Sequence, residues 1–173
     1  TAISYASQLH LSPSAIALLA QRGESQYMCL DCGIMDQMIS ALAEEDHALL
    51  IDCLELESEA ILIPEDLSMV VIDPNINRKA FMMQFEERKK DCAIITQLLG
   101  LDSLRDLSLS YLEQQRDTLS SEQFRRARHV ITENTRTSNA ARALQQNDIA
   151  RFSQLMTQSH VSLRDDFEVI APE

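Results

Sequence analysis

The run Cys32-Gly33-Ile34-Met35-Asp36-Gln37 reads as a glycine turn that passes directly into a helix, with Asp36 in that helix's first turn. A carboxylate so placed meets the positive end of the helix dipole and is a plausible seat for a proton acceptor. Gly33 is expected to permit a sharp backbone entry that a side chain would obstruct. The same six residues also fit an acid that only complements the dipole, and spacing alone does not choose between the two.

Other chemistry-bearing residues offer less. Cys29 and Cys32 form a C-x-x-C pair, but no second pair or nearby histidine couple completes a zinc site, and no strand-then-helix setting marks a thioredoxin-type motif. His10, His47, His129 and His160 stand singly, which favours packing or surface roles. Gly23, Gly33 and Gly100 are the only glycines, so no closely spaced glycine loop exists to cradle a nucleotide phosphate. A phosphate cradle, if one is used, must lie outside these residues.

The positioning elements follow from periodicity and caps. Ala2 to His10 has helical apolar spacing. Ser12-Pro13 starts a second helix, which Gly23 is expected to break. The Asp36 helix runs from about Ile34 to Ala43, with Met35, Met38, Ile39 and Leu42 on its inner face. Three short apolar runs follow, His47 to Cys53, Ala60 to Ile63 and Ser68 to Ile72. They read as strands, with Met69-Val70-Val71-Ile72 expected to be buried on both faces. A long helix is predicted from about Asn77 to Leu99, closed by Gly100. Its charge cluster, Glu86 to Asp91, reads as a solvated face. Beyond Asp102 the pattern is helical. Ser120 and Gln123 form a capping box, and Asn147-Asp148 divides an antiparallel helix pair. Ser-Leu-Arg-Asp occurs at 103–106 and again at 162–165 without matching flanks, and it is taken as coincidence.

With 173 residues and 45% hydrophobic content, the chain can build one ordinary core or two small lobes. Its 27 acidic and 15 basic residues leave a net charge of -12, which argues against nucleic acid and anionic membrane surfaces as partners. No transmembrane-length run or secretion signal is evident, and the four cysteines do not make a disulfide scaffold, so a soluble cytoplasmic protein is expected. The sequence opens without a start region and stops without a finishing element, as the middle of a longer polypeptide would.

Several quoted stretches resemble the galactokinases of the GHMP sugar and metabolite kinase superfamily. The strongest are Cys32-Gly33-Ile34-Met35-Asp36-Gln37-Met38-Ile39-Ser40-Ala41-Leu42 with Asp46-His47-Ala48-Leu49-Leu50-Ile51-Asp52-Cys53. Phe124-Arg125-Arg126-Ala127-Arg128-His129-Val130 and Ser159-His160-Val161-Ser162-Leu163-Arg164-Asp165-Asp166-Phe167-Glu168 resemble two later blocks. The resemblance implies a helix-rich α+β fold with partial GHMP kinase architecture. Residues 1–66 would be the remainder of the N-terminal domain, carrying the catalytic-base helix, and residues 67–173 would be part of the ferredoxin-like C-terminal domain. It also implies ATP- and Mg²⁺-dependent phosphorylation of galactose at the anomeric hydroxyl. Asp36 matches the family's base, Gly33 the glycine lying against the sugar, and Phe85 a position beside the sugar.

The departures are specific. The family's Gly-Glu-His-Thr-Asp motif, its nearby arginine, its phosphate loop and a later glycine-rich block are missing from this sequence, so this chain alone is expected to be inactive. Phe85 stands where a sugar-contacting tyrosine is usual, a loss on the order of 1 kcal/mol at a buried polar site. Cys29 replaces a usual glycine, and Asp73-Pro74-Asn75 replaces an Asn-Ser-Asn-like sequence. A GHMP kinase for another sugar and a non-catalytic galactokinase-like sensor or remnant remain as alternatives. Missing strands would leave open sheet edges, so self-association is expected.

Overall fold

The protein is described here by a computed structural model covering residues 2–29, 32–73 and 79–169, with side chains described from Ser4 in the first segment and from Glu86 in the last. The chain divides into two compact units, Thr1–Leu67 and Ser68–Glu173. The architecture is helix-rich α+β. Among the described residues, no helix is long and apolar enough to cross a membrane.

In the first unit, α1 (Ala2–Ala6) precedes α2 (Pro13–Arg22). The Ser12 hydroxyl caps α2 by accepting from Ala15 N at 3.2 Å, and Pro13 takes the first turn, where its missing N–H costs nothing. Gly23 does not break this helix. It is right-handed (φ -60°), and the chain continues through Gly23–Tyr27 as a π-helical turn. Helix α3 (Met35–Leu42) then leads to β1 (His47–Asp52), which pairs antiparallel with β2 (Glu57–Leu62) in the register His47↔Leu62 to Asp52↔Glu57. The Asp52 carboxylate accepts from Leu54 N and Glu55 N, both at 3.0 Å, and so stops β1 in a side-chain-capped turn.

Ala17, Ile34 and Met38 form this unit's buried core, with Ala41, Leu42, Ile51 and Leu56 against it. The expected inner face of α3 holds at Met38 and in part at Leu42, and fails at Met35 and Ile39, which are 60% and 36% exposed. Gln37 is buried instead. The face turned to α2 is therefore rotated from the one that apolar spacing selects.

In the second unit, the segment 68–72 is the main departure from expectation. It is not a strand, and Met69, Val70, Val71 and Ile72 are all strongly exposed. A strand needs a neighbour to take its backbone N–H and C=O groups, and no described residue of this unit supplies one. Helix α4 (Lys79–Leu99) ends in left-handed Gly100, with Leu101 N bonding Thr96 O at 2.9 Å and Gly100 N bonding Gln97 O at 3.3 Å. A short 3₁₀ turn (Leu104–Asp106) and α5 (Leu109–Gln114) lead to α6 (Ser121–Gln145) and α7 (Ile149–Asp165).

The capping box of α6 is present in both directions, Gln123 N to Ser120 Oγ at 3.1 Å and Ser120 N to Gln123 Oε1 at 3.0 Å. Asn147 turns left-handed (φ 56°), and Asp148 caps α7 through Arg151 N, so α6 and α7 pack as a pair. Ile95, Leu104, Leu107, Leu112, Leu119, Phe124, Ala127 and Ile131 make the core beneath them.

The charge cluster on α4 is only partly solvated. Arg88 is 5% exposed, and its guanidinium donates to Phe167 O and Glu168 O, both at 2.6 Å. Asp91 pairs with buried Arg126 on α6. These residues tie α4 to α6 and to the end of α7, which alternating charge along one helix cannot reveal.

Candidate functional site

Asp36 sits in the first turn of α3, as its spacing predicted, and its side chain is exposed. It lines a hollow of about 320 Å³ between α2 and α3, together with Ile16, Ala17, Ala20, Glu24, Gln37, Ser40 and Ala41. One wall is apolar and small, from the alanines of α2. The α3 wall carries a carboxylate, an amide and a hydroxyl, and the π-helical turn that continues α2 adds the Glu24 carboxylate. The Ser40 hydroxyl donates to the Asp36 backbone carbonyl at 2.7 Å, so its oxygen lone pairs stay available.

The approach to α3 is tied to the preceding helix. Gln21 Nε2 donates to Cys32 O at 3.2 Å, and Cys32 Sγ donates to Glu24 Oε2 at 3.6 Å. Glu24 belongs to the π-helical turn, a feature often associated with functional sites. Leu30 and Asp31, within the same approach, lie outside the described residues.

Gly33 is exposed, and a Cβ built on it meets no atom within 4 Å. Its φ is not left-handed. The expectation that a side chain would obstruct the turn is therefore corrected: among the described residues nothing crowds the position. The residue that does need glycine-like freedom is Cys29, which is left-handed at φ 55°. Phe85 lies on α4, but its side chain lies outside the described residues, as do Pro74 and Asn75 entirely.

Gln37 and Glu24 were not singled out by the sequence. Gln37 carries a buried Oε1 with no hydrogen-bond partner among the described residues, an unmet acceptor on the lining of the hollow. The only sequence signal was a polar residue next to the core position Met38. Among the described residues, no group of three His, Cys, Asp or Glu side chains could hold a metal ion, and the glycines at 23, 33 and 100 are too far apart for a phosphate loop.

The second unit holds a buried polar chain of a different kind. Ser162 Oγ donates to Asp166 Oδ2 at 3.0 Å, which uses its single proton. His129 Nδ1, 3.0 Å from the same oxygen, is therefore the donor of that pair. Ser162 is thus a relay between two buried groups, its oxygen accepting from His129 and its proton held toward Asp166. His129 stacks on Phe167 with ring centroids 4.5 Å apart, and burial pushes its pKa down from the usual 6.5. Around it, Arg128 pairs with Asp166 and Arg125 with Glu168 at 2.9 Å. The wiring is that of a structural brace joining α6 to the end of α7.

No family model matches this sequence. Among solved structures, the chain is similar to the crystal structure of Lactococcus lactis galactokinase complexed with galactose, with a TM-score of 0.79 at 23% sequence identity. The match covers 95% of this chain and 44% of that one. Likeness at this identity shows the fold: the chain is a helix-rich α+β protein with a galactokinase-like fold, spanning less than half the length of the neighbour it matches.

Proposed function

We propose that this chain is the central portion of a sugar kinase of the galactokinase type, which phosphorylates galactose to galactose 1-phosphate at the expense of ATP in the cytoplasm. The observation that carries this reading is the exposed first-turn Asp36 beside an open, acceptor-lined hollow, in a chain whose fold matches galactokinase over 95% of its length. In this reading Asp36 takes the proton of the anomeric hydroxyl as that oxygen bonds the γ-phosphorus. The bond to the β-phosphate oxygen breaks, and ADP leaves with its electrons. Gly33 leaves room for the sugar's approach, and Phe85, at the position of the family's usual tyrosine, is the other substrate-binding residue of this reading. ATP and Mg²⁺ are held by residues outside these 173, so this polypeptide alone is inactive.

The test is galactose-dependent ADP release by the product of the complete coding region. Asp36→Asn should lower kcat by about 10²–10⁴-fold with little change in galactose affinity. Unchanged turnover would refute the assignment, and ADP release by the 173-residue chain alone would refute the division of the site. Phe85 in the usual tyrosine position favours a second reading, a GHMP kinase with another or broader sugar preference. Comparing kcat/KM across hexoses separates the two. A coding region lacking the phosphate loop and the Gly-Glu-His-Thr-Asp motif would instead point to a non-catalytic sensor or remnant.

A further inference from the structure

Cys29 and Cys32 stand at the approach to α3, and the proposed kinase chemistry uses neither. Both are free thiols, Cys29 exposed and Cys32 half-buried. Past the π-helical turn Gly23–Tyr27, the chain comes back at Cys32 to residues that precede Cys29. Gln21 Nε2 donates to Cys32 O at 3.2 Å, and Cys32 Sγ donates to Glu24 Oε2 at 3.6 Å. Within this loop Cys29 is left-handed at φ 55°, a conformation that a side-chain-bearing residue holds only where its surroundings impose it. Cysteines three residues apart can be bridged where the chain turns back on itself. Both contacts that hold Cys32 are made within residues 21–32, so the setting of the pair does not wait on chain outside this sequence.

We propose that Cys29 and Cys32 form a thiol–disulfide exchange site whose co-substrate is a low-molecular-weight disulfide. This inference is independent of the proposed kinase activity. Cys29, the more exposed thiol, loses its proton to solvent, and its sulfur attacks one sulfur of the co-substrate. The co-substrate's S–S bond breaks, one half leaves as a thiolate that takes up a proton, and Cys29 is left in a mixed disulfide. Cys32 then gives up its proton and attacks the Cys29 sulfur, releasing the second half in the same way. Two protein thiols are thereby oxidised to one disulfide, and the co-substrate is reduced to two thiols. The second step consumes the Cys32 S–H, so the Glu24 carboxylate loses that donor, and Glu24 lines the hollow beside Asp36. The state of the pair is thus felt at the candidate site. Closing so short a ring gains little chain entropy and one partner is exposed, so the disulfide is labile and the exchange reversible.

The probe is oxidised glutathione added to the reduced 173-residue chain, read by intact mass and by peptide mapping after alkylation. The parent should lose the mass of two hydrogen atoms, with the Cys29 and Cys32 peptides joined. An excess of about 10-fold reduced glutathione should return it to the dithiol. Cys32→Ser keeps a hydroxyl to donate to Glu24 but lacks the second thiol, so it should stop at the mixed disulfide of Cys29 with glutathione. Cys29→Gly puts glycine at the left-handed position and so keeps the fold. It should form no internal disulfide, and its Cys32 should be modified at least about 10-fold more slowly than Cys29 is in Cys32→Ser. In the parent, the carbon-13 resonance of the Glu24 carboxyl should shift on oxidation and return on reduction. A parent that stays unmodified or stops at the mixed disulfide, a bridge from Cys29 to Cys53 or to a second chain, or a Glu24 resonance that does not move on oxidation would each overturn the proposal.

Discussion

Arg88 offers a direct test of how the second unit is held together. Its guanidinium is buried, and it donates at 2.6 Å to two consecutive carbonyls, Phe167 and Glu168, where the chain leaves α7. Glu168 is left-handed (φ 56°), a conformation costly for a side-chain-bearing residue and maintained only by its surroundings. Arg88→Ala removes two charge-assisted hydrogen bonds, each worth about 1.5–3 kcal/mol, and part of that is recovered as water reaches the freed carbonyls. The expected loss is about 3–4 kcal/mol, a large fraction of the ~5–15 kcal/mol that holds an ordinary domain. In urea unfolding followed by circular dichroism, this corresponds to a midpoint lowered by about 1.5–2 M at an unchanged slope of ~2 kcal/mol/M. Arg88→Lys should restore less than half, because one ammonium lacks the planar fork that reaches both carbonyls. Lys90→Ala, at an exposed neighbour in the same cluster, should stay within about 0.5 kcal/mol of the parent. If Arg88→Ala also falls within about 1 kcal/mol, the cluster is a solvated face after all and the brace is wrong.

Other outcomes follow from single positions. Gly33→Ala should leave the stability unchanged or raise it by up to about 1 kcal/mol, read by the thermal midpoint, because its Cβ meets nothing among the described residues and the unfolded chain loses freedom. A lowered midpoint would show the position to be crowded. His129 has a depressed folded pKa, so below about pH 6.5 the unfolded chain binds a proton that the native chain resists. Stability should therefore fall as pH drops through that value, and His129→Gln should flatten the decline measured by urea midpoints at pH 7.5 and 5.5. Cys29→Gly should relieve the left-handed strain and raise stability by up to about 1 kcal/mol, read by calorimetry. Cys92, whose thiol pKa burial raises, should react with a thiol reagent more slowly than exposed Cys29 and Cys53.

Local signals were legible in the sequence wherever the interaction that makes an element is itself local. Ser12-Pro13, the Ser120–Gln123 box, Asn147-Asp148 and Gly100 satisfy helix ends within a few residues of themselves, so their types and spacing suffice. Asp36 belongs to the same group, since its place in the first turn of α3 follows from the turn before it. Gly23 misled because glycine only permits a break. With nothing forcing the left-handed conformation, the helix ran on as a π turn.

Whatever depends on a distant partner was left to the tertiary structure. Apolar, β-branched Met69–Ile72 is strand-like by composition, yet a strand exists only with a neighbour to complete its hydrogen bonds, and here the run stays exposed. Arg88 and Asp91 looked like solvent-facing charges until α6 and the end of α7 came across to bury them. The rotation of α3 that buries Gln37 and exposes Met35 was set by packing against α2, which periodicity within eight residues cannot orient. The sequence by itself determined where Asp36 stands along its helix; only the packing of α2 against α3 decided that it would border an open hollow.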